Sequence, residues 1–193
     1  MKHVMKEIDL LIKNHADYYK EKQGALDAFI RNKKGISQLE WQSKVHYHYA
    51  HHIALKNEVN EFINECRDLW KYWKDKPVDQ DKLIDEFVDI IHFAFLIHNK
   101  HIDTNECVLE NDEFEILRIV SKSALILEQV QMNTNEDFYL YILYRLELSE
   151  NYQRILAYAL IIIMGHYGYT HQDIKDAYDK KNKENFERQN NGW

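Results

Sequence analysis

The sequence predicts an all-α protein, a bundle of about six to seven helices. Three observations predict it. Apolar residues recur at three- and four-residue spacing along most of the chain, and almost nothing alternates with period two. Punctuation is sparse: 193 residues hold five Gly and one Pro, too few for the many turns of a sandwich or barrel. Apolar residues make up 45% and charged residues 30%, enough to bury a core and unlike a disordered chain. No repeat, low-complexity block or Pro/Gly/Ser linker divides the chain, so a single domain over 1–193 is expected.

The elements follow in order. Residues 5–31 are amphipathic, with Ile8, Leu11, Ile12, Leu26, Phe29 and Ile30 at helical spacing. Gly24 is read as a break between two helices, and Gly35 as the C-terminal cap. From Gln38 to Trp73, Val45, Tyr49, His52, Leu55, Val59, Phe62, Cys66 and Leu69 fall three or four apart, which predicts one long helix. Pro77 sits in a short connection, since it fits poorly inside a helix. Residues 79–100 form a third segment, apolar almost all round at its C-terminal end. Residues 101–111 are polar and read as a loop. Further helices are predicted at 112–132, 136–147 and 150–166, the last ended by Gly165 and Gly168. Thr170 and Asp173 have capping-box spacing and open a final helix over 171–189.

Charge and length exclude other classes. The formal charge is −7, from 25 basic and 32 acidic residues, which argues against broad electrostatic binding to nucleic acid. The longest apolar run, Ile155 to Met164, is half of the ~20 residues that a membrane span requires. The N-terminus carries no signal-type apolar stretch, and Cys66 and Cys107 form no CxxC pair. The expectation is a cytoplasmic protein without a membrane or nucleic-acid partner.

The chemical signal lies in two acidic pairs. Glu58-Val59-Asn60-Glu61 places two carboxylates on one helix face, and Glu86-Phe87-Val88-Asp89 does the same on the next helix. Joined by a short connection, the two helices are expected to form an antiparallel hairpin. The index sums of Glu58 with Asp89 and of Glu61 with Glu86 are equal, so the pairs would face each other at one level. Four carboxylates at one level repel unless cations neutralise them. All-oxygen ligation suits Mg²⁺ or Mn²⁺, which would activate water and clamp a phosphate chain. Glu65, one turn further on, is a candidate fifth carboxylate.

With 24 residues between Glu61 and Glu86, ExxE followed by ExxD resembles the all-α nucleoside triphosphate pyrophosphatases, which include dimeric dUTPases and MazG-type enzymes. The stretches Ala54–Glu65, Lys71-Tyr72-Trp73-Lys74 and Asp85–Phe93 are similar to the dimeric dUTPase branch. So is the C-terminal Tyr178–Trp193, with its Tyr, Lys-Asn, Asn, Arg-Gln and Gly-aromatic order. Gln23-Gly24-Ala25-Leu26-Asp27 is similar to the first-helix block of bacterial and phage members. Residues 101–165 match no motif. The resemblance implies Mg²⁺-dependent hydrolysis of dUTP to dUMP and pyrophosphate by a homodimer. Glu58, Glu61, Glu86 and Asp89 would hold the metals, and Glu61 would orient or deprotonate the attacking water. The apolar segments 79–100 and 150–164 fit a buried dimer interface.

Tyr178, Lys181, Asn185 and Arg188 share one helical face. Lys181 and Arg188 there would neutralise phosphate charge, and Tyr178 and Asn185 would hydrogen-bond sugar or phosphate oxygens. Trp73, with Trp70 beside it, is a candidate pocket wall, and Lys74 adjoins it. Gln23 would read a pyrimidine edge, and Asp27 would accept from a sugar hydroxyl or base N–H. Rival patterns are incomplete. His48 and His52 are spaced for Zn²⁺ but no HExxH follows. Asp89-x-x-His92 is half of a di-iron pattern whose second half is missing. No adjacent His-Asp pair, phosphate loop or nucleophile elbow occurs. A MazG-like enzyme for another nucleotide and a non-catalytic metal-binding bundle remain as alternatives.

Overall fold

A computed structural model describes residues 2–103, 112–129 and 135–192. Among them are nine helices and no strand: α1 (Lys2–Lys34), α2 (Gln38–Ser43), α3 (Val45–Glu65), α4 (Arg67–Trp70), α5 (Gln80–Asp103), α6 (Asp112–Gln129), α7 (Asn135–Glu147), α8 (Tyr152–Gly165) and α9 (His171–Asn190). The loop expected at 101–111 lies outside the described residues except for 101–103, which continue α5. Cys107, residues 130–132 of the predicted sixth segment, and Trp193 also lie outside.

Local chemistry sets most boundaries. Gly35 takes φ 68°, and Ile36 N–H and Gly35 N–H bond the carbonyls of Arg31 and Asn32, closing α1 with a glycine cap. Asn151 caps α8 by accepting from Gln153 and Arg154 N–H at 3.0 and 3.1 Å. Thr170 and Asp173 form a complete capping box at the start of α9.

Two expectations are corrected. Gly24 does not break α1, which runs through it. A glycine costs a helix roughly 1 kcal/mol, less than packing returns. Asn99 of α5 packs over this turn, and its amide donates to the Lys20 carbonyl at 2.9 Å. Nor is 38–73 one helix. The chain leaves helical geometry at Lys44 (ψ 116°) and again at Cys66 (ψ 34°). The second break is held by side chains. Trp70 Nε1 donates to the Ile63 carbonyl at 2.9 Å, satisfying one of the last acceptors of α3. Asp68 of α4 accepts from Tyr167 Oη at 2.5 Å and meets His166 Nε2 at 2.9 Å, beyond the end of α8. Periodicity cannot see either break, because the apolar spacing continues across both.

The core centres on α8. Every residue from Ile155 to Met164 is buried, against α1, α5, α6 and α7. The apolar character of α8, and of the C-terminal half of α5, is therefore used within the chain, and it does not mark a subunit contact. α3 packs along α5, and α9 lies across α1 and α5.

Candidate active site

The site is built where α3 and α5 meet. Leu55, Val59 and Phe62 turn one face of α3 inward, and Leu83, Phe87, Ile90 and Ile91 do the same for α5. The rings of Phe62 and Phe87 lie 5.9 Å apart. Carboxylates beside these positions are drawn to the edge of a packed interface by the burial of their neighbours. Glu58, Glu86 and Asp89 converge there: one oxygen from each lies within 4.8 Å of the others. No other group of three His, Cys, Asp or Glu among the described residues has such geometry.

The electrostatics are those of a crowded anionic cluster. Burial, then Asp89, Glu61 and Glu86, push the Glu58 carboxyl up to about 7. Burial, then Glu61 and Asp89, push Glu86 up to about 6. Burial also raises Asp89, against the pull of Lys181. The largest like-charge couplings run from Glu58 to Asp89 and from Glu86 to Glu61. Glu61 itself is exposed, at the edge of the cluster. Such a set of half-buried oxygen donors, costly to ionise together, suits a hard divalent cation. Glu65 is not part of it, because that carboxylate pairs with Arg67.

α9 supplies the cation. Lys181 is buried, with Nζ 2.7 Å from Asp89 and 3.7 Å from Asp85. Burial works against its charge, but the bond to Asp89 keeps its pKa above the usual lysine value. The predicted face of α9 exists and runs from core to solvent: Tyr178 and Lys181 are buried, Asn185 is half-buried and Arg188 is exposed. Arg188 helps to lower Asp89, and its guanidinium lies 3.9 Å from Glu184. The Tyr178 hydroxyl faces the Tyr19 carbonyl at 3.5 Å.

The first-helix block joins the same region. Gln23 and Asp27 are buried, and Gln23 Nε2 donates to Asp27 at 2.7 Å. Gln23 Oε1 meets His92 Nδ1 at 2.6 Å, and the His92 ring stacks on Tyr178 at 4.3 Å. Sequence reasoning met His92 only in an incomplete di-iron pattern. Its position one turn after Asp89 was the available signal. Asn182, beside Lys181, is another buried polar residue that it passed over. Trp73 and Lys74 lie exposed on the α4–α5 connection, where the Trp73 ring packs on Trp70 and Tyr72. The rings of His48 and His52 lie 4.6 Å apart, and among the described residues no third His, Cys, Asp or Glu gathers with them.

A family model described as dUTPase matches residues 18–193, which include every residue of this cluster. The chain belongs to the dUTPase family. Its members are enzymes that hydrolyse dUTP with a divalent metal, and this chain is a dUTP diphosphatase. No curated protein and no solved structure matches the chain. Among the described residues of this dUTPase, no helix is long and apolar enough to cross a membrane.

Proposed function

We propose that the chain, acting as one domain over 1–193, converts dUTP and water to dUMP and pyrophosphate with Mg²⁺, Mn²⁺ serving in its place. The observation that carries this reading is the convergence of Glu58, Glu86 and Asp89, whose crowded carboxyls are raised and whose oxygens suit a hard cation. These three would hold the metal, with Glu61 beside them at the solvent edge, where the attacking water would sit. When bound, the metal supplies charge neutralisation for the phosphates and activation of water.

The residues of the chain have separate tasks in this reading. Glu61, exposed at the edge of the cluster, orients the attacking water and takes its proton, with Glu58 beside it. Lys181 and Arg188 offset the charge that develops on the departing pyrophosphate. Asn185 bonds a sugar or phosphate oxygen, and Tyr178 holds the His92 ring in place. Gln23 and Asp27, locked to each other and to His92, present fixed polar atoms to the base and sugar. Trp73 and Lys74 close over the substrate from the exposed connection. The enzyme works as a cytoplasmic homodimer.

Pyrophosphate release from dUTP, dCTP, dTTP and UTP, each with Mg²⁺ and with EDTA, tests the proposal. Mg²⁺-dependent turnover confined to dUTP is expected. Turnover of dCTP instead would move the substrate to a MazG-like specificity. Turnover of dUTP that survives EDTA would remove the metal from the scheme.

A further inference from the structure

Lys181 reaches two carboxylates, and only one of them belongs to the oxygen cluster. Asp85 and Asp89 lie at i and i+4, one turn apart on the same face of α5. Two anions so placed repel unless a cation stands between them. Lys181 of α9 is that cation, with Nζ 2.7 Å from Asp89 and 3.7 Å from Asp85. The division is uneven. Asp89 is the nearer and the more enclosed, its side chain 19% exposed against 44% for Asp85. Among the described residues Asp85 has no other ion-pair partner.

Asp89 is claimed twice. It bonds the ammonium, and it converges with Glu58 and Glu86 in the cluster that suits a divalent cation. Three anions attract the Lys181 charge: Asp89, then Asp85, then Glu86. A cation held by Glu58, Glu86 and Asp89 neutralises the first and the third of these and repels the ammonium at short range. Asp85 keeps its full charge, because it lies outside the cluster. A shift of about 1 Å brings Nζ from 3.7 Å to hydrogen-bond distance of Asp85. The flexible four-carbon stem of a lysine allows that without movement of α9.

The same geometry links the two halves of the site. While Lys181 bonds Asp89, its charge is neutralised inside the protein. On the more exposed Asp85 it stands nearer to solvent, where a phosphate group can meet it. We propose that Asp85 is a positioning residue, the second seat of Lys181: the ammonium bonds Asp89 before a metal is bound and moves to Asp85 when the cluster takes one. Metal loading thus frees the cation for the pyrophosphate, and each ligand favours the binding of the other. The inference rests on the metal-dependent reading of the site given above and is independent of which base the enzyme accepts.

Lysine labelling tests it. The full chain is treated with an amine-reactive ester in EDTA and in saturating Mg²⁺, without nucleotide, and each lysine is read by mass spectrometry. Calorimetry records that Mg²⁺ binds, and circular dichroism that the chain is folded. Lys181 is expected to label on the order of tenfold faster in Mg²⁺, the worth of one charge-assisted hydrogen bond. Lys175 and Lys183 pair with Asp179 and Glu187, outside the cluster, and are expected to label at the same rate in both conditions. Asp85→Asn removes the second seat alone. Its Lys181 is expected to label at the wild-type rate in EDTA, where Asp89 holds it, and several-fold faster than wild type in Mg²⁺.

Bound Mg²⁺ that leaves wild-type Lys181 labelling unchanged or slower would show that the ammonium stays on Asp89, and would overturn the inference alone. So would an Asp85→Asn chain whose Lys181 labels like wild type in Mg²⁺, or faster than wild type in EDTA. Absence of Mg²⁺ binding would overturn the metal reading of the site together with this inference.

Discussion

Four carboxylates make up the proposed site, and they differ in what surrounds them. Glu58, Glu86 and Asp89 sit close enough to share one cation, whereas Glu61 stands at the solvent edge. That difference gives a sharp expectation for Glu61→Gln. Turnover should fall by about 10²–10⁴-fold, the worth of a positioned base. Mn²⁺ affinity, read by calorimetry without nucleotide, should stay within a few-fold of wild type. Unchanged turnover would remove Glu61 from the mechanism. Lys181 is the second test at this scale. Lys181→Met leaves Asp89 without its 2.7 Å partner. Metal-free stability should drop by about 2–3 kcal/mol, somewhat below the ~3–5 of a fully buried pair. Mn²⁺ should restore most of the loss. A variant as stable as wild type in EDTA would show that the ion pair contributes nothing.

Single helices are held by their ends. The α8–α9 corner shows how many devices one connection can carry. Gly168 turns with φ 77°, Tyr169 N–H reaches back to the Ile163 carbonyl at 3.2 Å, and the Thr170 capping box opens α9. Gly165 has a different role, since its backbone lies against Tyr139. A Cβ there would stand 2.7 Å from the Tyr139 hydroxyl and 2.8 Å from the ring. Gly165→Ala should therefore destabilise by about 1–3 kcal/mol despite the better helix propensity of alanine. Urea unfolding would measure it, and equal or greater stability would mean that Tyr139 moves aside without cost. At the same scale, the break after α3 was hidden from periodicity. Leu69 and Cys66 keep the helical spacing, yet Asp68 and Trp70 find partners only when the chain bends.

For the whole molecule, buried groups of two kinds set the response to pH. Glu58 and Glu86 titrate near 7 and 6 in the folded chain, and near 4.5 when unfolded. Between those values the folded chain holds protons that the unfolded chain has lost, so their contribution falls as pH rises. Buried His51 and His92 are pushed down to about 4 and 3, by burial and then by Lys100 and Lys181 respectively. Unfolded, they bind protons up to about 6.5, so their contribution rises with pH and is complete near there. The two contributions nearly cancel between about pH 5 and 7, so metal-free stability should rise from acid pH and level off above about pH 6. Millimolar Mg²⁺ should add stability that grows as pH rises from 5 to 8, because the cation binds the ionised cluster and the folded state alone. Glu58→Gln should gain stability over wild type as pH rises from 5 to 8, with the histidine contributions cancelling in the comparison. Melting curves in EDTA and in Mg²⁺ check all three statements. A wild type and variant that melt in parallel across that range would show that Glu58 carries no repulsion.

Helix content, the two acidic pairs and the α9 face were legible because each is a local spacing, and spacing along a helix is chemistry in space. So was the capping box, whose partners lie three residues apart. The family followed from those same residues. Tertiary structure alone decided what depends on distant partners: that α1 runs through Gly24 under Asn99, that Glu65 belongs to Arg67, that Lys181 reaches Asp89, and that His92 locks Gln23. It also decided where the apolar surface went. The strongly apolar α8 reads in sequence as a helix needing a partner, and whether that partner is another chain or four helices of its own is settled only by packing. It is wrapped by its own chain, and large apolar side chains stay exposed on α3 and α7, whose periodicity looks no different from that of any amphipathic helix.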